Sequence, residues 1–108
     1  MSDFNEREQG FEAKFAHDEA LKFRIEARAC KLLGLWAAGL MGIAEGEAAN
    51  NYARDLANAD MREAGSEDMF RVLRQDMEDR GVDHKALHLE KKLVEFTEIA
   101  RQQLTQQA

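Results

Sequence analysis

Residues 11–38 read FEAKFAHDEALKFRIEARACKLLGLWAA, and the spacing within them decides the fold. The chain contains no proline, and this stretch holds a single glycine, Gly34, so nothing in it breaks a helix sharply. From Leu21 onward apolar side chains return every three or four residues as Leu21, Ile25, Ala29, Leu32, Trp36 and Leu40, which is the repeat of one helix face. A second stripe, Phe23, Ala27, Cys30, Ala37 and Met41, lies beside the first, so this helix requires neighbours on more than one side. Toward the N-terminus the apolar residues thin to Phe4, Phe11 and Phe15, spaced by seven and then four positions. That spacing aligns their rings on one narrow stripe. Asp3 followed by Glu6 has the pattern of a helix start, whereas Gly10 weakens helix by about 1 kcal/mol relative to alanine. The N-terminal stretch therefore reads as a mobile arm, residues 1–19, ahead of a packed unit, residues 20–108.

The rest of the chain supplies partners for the central helix. A second helix is expected over about residues 45–61, with Ala49, Tyr52, Ala53 and Leu56 on its buried face and small residues that permit close packing. Gly65 and Ser66 break the pattern. A third helix, about 67–80, buries Met69 or Phe70, Leu73 and Met77. Asp83 caps a fourth, about 83–103, carrying Ala86, Leu89, Leu93, Phe96 and Ala100. Gly42 and Gly81 are placed to end the first helix, about 19–42, and the third in the left-handed conformation that glycine adopts cheaply. Short connections favour antiparallel neighbours, so the expected fold is all-α, a four-helix bundle with a mobile N-terminal arm.

Composition narrows the function. A chain of 108 residues supports one hydrophobic core and no second domain. Its net charge of -6 argues against nonspecific binding to nucleic acid or to an anionic membrane, because both require a basic surface. The one cysteine, Cys30, has no intramolecular disulfide partner, which fits a reducing compartment, and the N-terminus lacks a signal-peptide pattern, so a cytoplasmic location is expected. The apolar run at residues 32–41 is too short to cross a bilayer.

Catalytic signals are sparse. His84 and His88 lie four apart, a spacing that can place two imidazoles on one metal, yet no cysteine or further histidine stands nearby, so no metal site is assigned. Cys30 reads as a small buried hydrophobe, and His17 as a surface residue. The paired acids Glu6/Glu8, Asp18/Glu19 and Glu67/Asp68 fit solvated faces or helix starts, and the glycines at 39, 42 and 46 lack the lysine and strand of a phosphate loop. Lys22, Arg24, Arg28 and Lys31 are read as a solvated helix face that also has the charge to meet a phosphate. No catalytic residue is assigned and enzymatic activity is not expected. From the residues alone, Phe11 and Phe15 are either ordinary core contacts or anchors of an amphipathic segment that orders in a partner's groove.

The segments FEAKFAHDEALKFRIEARACKLLGLWAAGLMGI, NNYARDLANADMREAG and SEDMFRVLRQDMEDRGVD resemble the zeta subunit of bacterial F-type ATP synthase over essentially the whole chain. The resemblance implies a four-helix regulatory protein whose N-terminal segment enters an interface between the alpha and beta subunits, becomes helical there and blocks rotation of the gamma shaft. It maps that inhibitory element to residues 1–17, within which Phe4, Arg7, Phe11, Lys14 and Phe15 have the side-chain chemistry expected of contacts. It also implies a place in the cytoplasm, peripheral to the inner membrane through the synthase, and weak adenine-nucleotide binding for which the sequence identifies no residues; the lack of a sustained heptad seam favours a free monomer. Two other readings compete with it. One is a non-inhibitory adaptor or assembly factor of the synthase. The other is a nucleotide- or metal-responsive helical sensor using Arg24, Arg28 or the His84/His88 pair.

Overall fold

The computed structural model describes the backbone of residues 2–62 and 67–106 and the side chains of residues 18–59 and 67–106. Four α-helices account for most of it: α1 (Ser2–Leu40), α2 (Glu47–Arg62), α3 (Glu67–Asp79) and α4 (Leu89–Gln106), with a short 3-10 turn at Lys85–Leu87 before the last. Among the described residues there is no strand. α1 is packed by α2 and by α4, and α3 lies against α2, which makes the fold an all-α four-helix bundle. Trp36 meets Phe96 while Arg28 meets Gln103, so α1 and α4 run antiparallel.

The core forms where the apolar stripes converge. Leu33, Leu56, Met69, Leu73 and Met77 are its largest fully buried side chains, joined by Cys30, Ala37, Met41, Phe70 and Leu89. On α3 the reading from sequence is met in full, with both Met69 and Phe70 inside. On α1 it is shifted. The buried stripe is Ala29, Cys30, Leu33, Ala37, Ala38 and Met41, whereas Leu40 is 43% exposed and Phe23 56% exposed. Leu33 sits between the two expected stripes, and a helix flanked on two sides buries the sector between its neighbours most deeply.

Small residues let α1 and α2 approach. A Cβ built on Gly34 would stand 2.7 Å from the Cα of Ala53, closer than two non-bonded carbons tolerate. Ala49 and Ala53 are buried on the facing side of α2.

The helix stops follow glycine chemistry. Gly42 has φ +75°, and Ile43 N donates to Ala38 O at 2.9 Å, the six-to-one bond of a Schellman motif. Gly81 repeats this at φ +75°, with Val82 N donating to Met77 O at 2.8 Å. Ile43 and Val82 then fold back onto the core.

Two boundaries depart from the sequence reading. α1 is one 39-residue element from Ser2 where the sequence suggested a helix beginning near residue 19. A single glycine costs about 1 kcal/mol, and extending an existing helix needs no new nucleus, so Gly10 does not interrupt the backbone. Asp83, expected to cap the fourth helix, accepts only a local hydrogen bond from Lys85 N at 3.0 Å; the 3-10 turn that follows has His84 at its N-cap without a side-chain cap bond and ends at His88, whose φ of 51° is left-handed. α4 therefore begins at Leu89, and Ala86, expected on its buried face, is exposed. The expected break at Gly65 and Ser66 lies outside the described residues.

Candidate functional site

α1 joins the candidate partner-binding stretch to the bundle. At a rise of 1.5 Å per residue its 39 residues span about 58 Å, while α2 and α4, with 16 and 18, span about 24 and 27 Å. Neither neighbour is long enough to accompany α1 from end to end. Burial along the described side chains of α1 agrees: Asp18, Glu19 and Ala20 are exposed, Phe23 is more than half exposed, and Ala29 is the first to be buried. The expected contacts Phe4, Arg7, Phe11, Lys14 and Phe15 belong to α1, and their side chains lie outside the described residues, as does that of His17.

What the structure does describe is how α1 is held. Trp36 and Phe96 pack with ring centroids 6.3 Å apart and planes tilted by 57°. Lys92 Nζ sits 5.3 Å from the Trp36 ring centre and 5.8 Å from that of Phe96, capping both aromatic faces with a cation. Immediately ahead of the buried stripe, Arg28 Nε donates to Gln103 Oε1 at 2.6 Å. Sequence reading listed Trp36 and Phe96 as core residues but had no signal for Lys92, since a lysine on a helix is ordinarily solvated.

The outer helices have their own ties. Tyr52 Oη donates to Asp76 Oδ2 at 2.8 Å between α2 and α3. Burial, together with this bond and the charge of Asp76, pushes the Tyr52 hydroxyl well above its ordinary pKa, with Arg80 opposing. Arg74 of α3 pairs with Glu90 of α4, its guanidinium 5.6 Å from the Phe70 ring centre.

The basic cluster does not act as a unit. Lys22, Arg24, Arg28 and Lys31 are all exposed, but Arg28 reaches α4 while Lys31 lines a cleft of about 470 Å³ between α1 and α2 with Arg54, Asn50 and Asn58. His84 and His88 do not share a helical turn. They flank the 3-10 turn, with His84 Nε2 2.8 Å from Glu78 Oε1, and no group of three metal-ligating side chains gathers among the described residues. Cys30 is buried at 2% exposure, which removes it from reaction with anything in solution.

A long helix gripped over its C-terminal half by a small bundle is an arrangement suited to presenting a segment to a partner. A family model, ATPase inhibitor subunit zeta, matches residues 1–103. The chain belongs to that family. The match spans the N-terminal stretch as well as the bundle, and it places the chain among ATPase inhibitor subunits, a regulatory role. No curated protein matches the chain. Among its described residues, no helix is long and apolar enough to cross a membrane, which leaves the zeta-family chain without a helical span there.

Proposed function

We propose that this chain inhibits ATP hydrolysis by the catalytic head of an F-type ATP synthase, with residues 1–19 as the inhibitory element and the bundle as its anchor. The observation that supports this most is the mismatch of lengths: α1 continues for more than twenty residues ahead of Ala29, its first buried position, far beyond what α2 and α4 can cover. The segment enters an interface between alpha and beta subunits and stops rotation of gamma, with Phe4, Arg7, Phe11, Lys14 and Phe15 making the contacts. Fixing the backbone of about 17 free residues costs on the order of 20 kcal/mol, a penalty that helix propagated from a packed core reduces, because no separate nucleus has to form. Such a protein acts as a monomer in the cytoplasm, peripheral to the membrane through the synthase.

The same reading includes weak adenine-nucleotide binding. The cleft between α1 and α2 has the size for it and brings Lys31 and Arg54 together as phosphate partners. The test of inhibition is hydrolysis by the isolated head titrated with the full chain and with a chain beginning at Ala20. Inhibition by the full chain alone supports the proposal; equal inhibition by both defeats the role of the arm, and binding without inhibition by either defeats inhibition itself and favours an adaptor.

A further inference from the structure

Along α1, Phe23, Ala27 and Lys31 follow one another at steps of four, and Arg24 stands two turns ahead of Lys31, so all four share one face of the helix. Ala27 and Lys31 form one wall of the cleft of about 470 Å³ between α1 and α2, and Arg54 and Asn58 stand on the other. On the reading that the chain inhibits the catalytic head of an F-type ATP synthase, we propose that this face is the surface by which the bundle docks there. The partner presents to it an apolar pocket flanked by carboxylates.

The cations on this face are uncommitted. Arg24, Lys31 and Arg54 are exposed, and among the described residues none of them is paired with a carboxylate; Arg54 bonds to the side-chain amide of Asn51. On α3 and α4 the pattern is the opposite, with Arg71 held by Asp68, Arg74 by Glu90, Lys92 by Glu95 and Arg101 by Glu98. No carboxylate lines the cleft among the described residues, because Glu26 and Asp55 each fall one position, about 100° of helix, away from a lining residue. On a chain of net charge -6, an unpaired basic strip is the part of the surface that draws in an acidic partner while the remainder repels it. Phe23, 56% exposed, adds an apolar anchor beside those charges. Aromatic rings and arginines are the side chains that carry most energy at protein interfaces. A nucleotide phosphate in the cleft would meet Lys31 and Arg54 but leave Phe23 and Arg24, which do not line it, without a role. The face also stands where α1 leaves its neighbours, so a partner bound here is next to the path of residues 1–19.

The test is binding of the full chain to the isolated catalytic head, followed by surface plasmon resonance without added nucleotide, alongside inhibition of hydrolysis. Lys31→Glu combined with Arg54→Glu should weaken binding at least about tenfold, chiefly through slower association, and the difference should shrink as salt is raised. Phe23→Ala should weaken it about fivefold or more through faster dissociation. Lys85→Glu combined with Lys91→Glu, which makes the same change of net charge at exposed positions away from this face, should alter affinity by less than about twofold. All the substitutions lie outside residues 1–19, so each variant should still inhibit at saturating concentration, and circular dichroism should show an unchanged melt. A native chain that neither binds nor inhibits would defeat the inhibitory reading and this surface with it. A native chain that binds and inhibits, with affinity unchanged in both face variants or lost equally in the Lys85/Lys91 control, would overturn the docking surface alone.

Discussion

The two halves of α1 obey the same helical geometry and have opposite surroundings. From Ala29 to Met41 the helix presents Cys30, Leu33, Ala37 and Ala38 to two neighbours, and every one of these is essentially inaccessible. From Asp18 to Arg28 no side chain is fully buried, and a phenylalanine, Phe23, stands more than half in water. Leu33 and Phe23 are similarly apolar, so composition does not separate the halves. The reach of the neighbouring helices does. Packing of one half therefore fixes the axis along which the other continues.

The sharpest way to break that contrast is to truncate both halves at equivalent positions. Leu33→Ala should lose about 2–5 kcal/mol in urea unfolding, since it opens a cavity in a closed core. Phe23→Ala should lose less than about 1 kcal/mol. A comparable loss at both sites would mean that the bundle extends farther along α1 than its burial pattern indicates.

Glycines provide a second contrast along the same helix. Gly34→Ala forces a methyl group against the Ala53 backbone and should cost about 1–3 kcal/mol, as overpacking does. Gly39, where a Cβ would meet nothing within 4 Å, should tolerate alanine and gain about 0.5–1 kcal/mol from helix propensity. Thermal unfolding of the two variants should therefore move in opposite directions.

A smaller effect is expected at the edge of the bundle. Tyr52→Phe removes the bond to Asp76 and should cost about 1 kcal/mol near neutral pH. Because the folded protein holds this hydroxyl's pKa above its unfolded value, the associated stability is fully present below about pH 10 and declines as pH rises beyond it. Tyr52 is the chain's one tyrosine, so tyrosinate absorbance follows it directly, and the variant should lack its share of the alkaline loss.

Much of this organisation was legible in the sequence where local chemistry and packing agree. Gly42 and Gly81 are legible as helix stops because left-handed backbone favours glycine, and Leu73, Met77 and one of Met69 and Phe70 as core because α3 has one amphipathic face, which in fact buries both. Leu33 was missed for the reason that α1 has two partners: its apolar positions wrap too far around the axis for a repeat of three or four to identify the centre. Phe23 was placed in a buried stripe because periodicity carries no information about where a neighbouring helix ends. The late start of α4 was hidden by His88, which takes a positive φ without the glycine that would announce it. Asp83 caps no helix: its side chain takes a local bond from Lys85 N, while His84 occupies the N-cap position of the short turn without a side-chain cap bond. Of the candidate site, the stripe of Phe4, Phe11 and Phe15 follows from spacing alone and its side chains lie outside the described residues, while the clamp of Lys92 over Trp36 and Phe96 depends on an interhelical contact that no local pattern encodes.

The central claim is that the bundle holds and the N-terminal segment inhibits. Its most direct test is ATP hydrolysis by the isolated catalytic head, titrated with the full chain and with a chain beginning at Ala20, circular dichroism confirming that the shorter chain keeps a cooperative helical fold. The account predicts inhibition by the full chain and none by the folded shorter one. Equal inhibition by both would place the activity in the bundle and contradict the division of labour along α1.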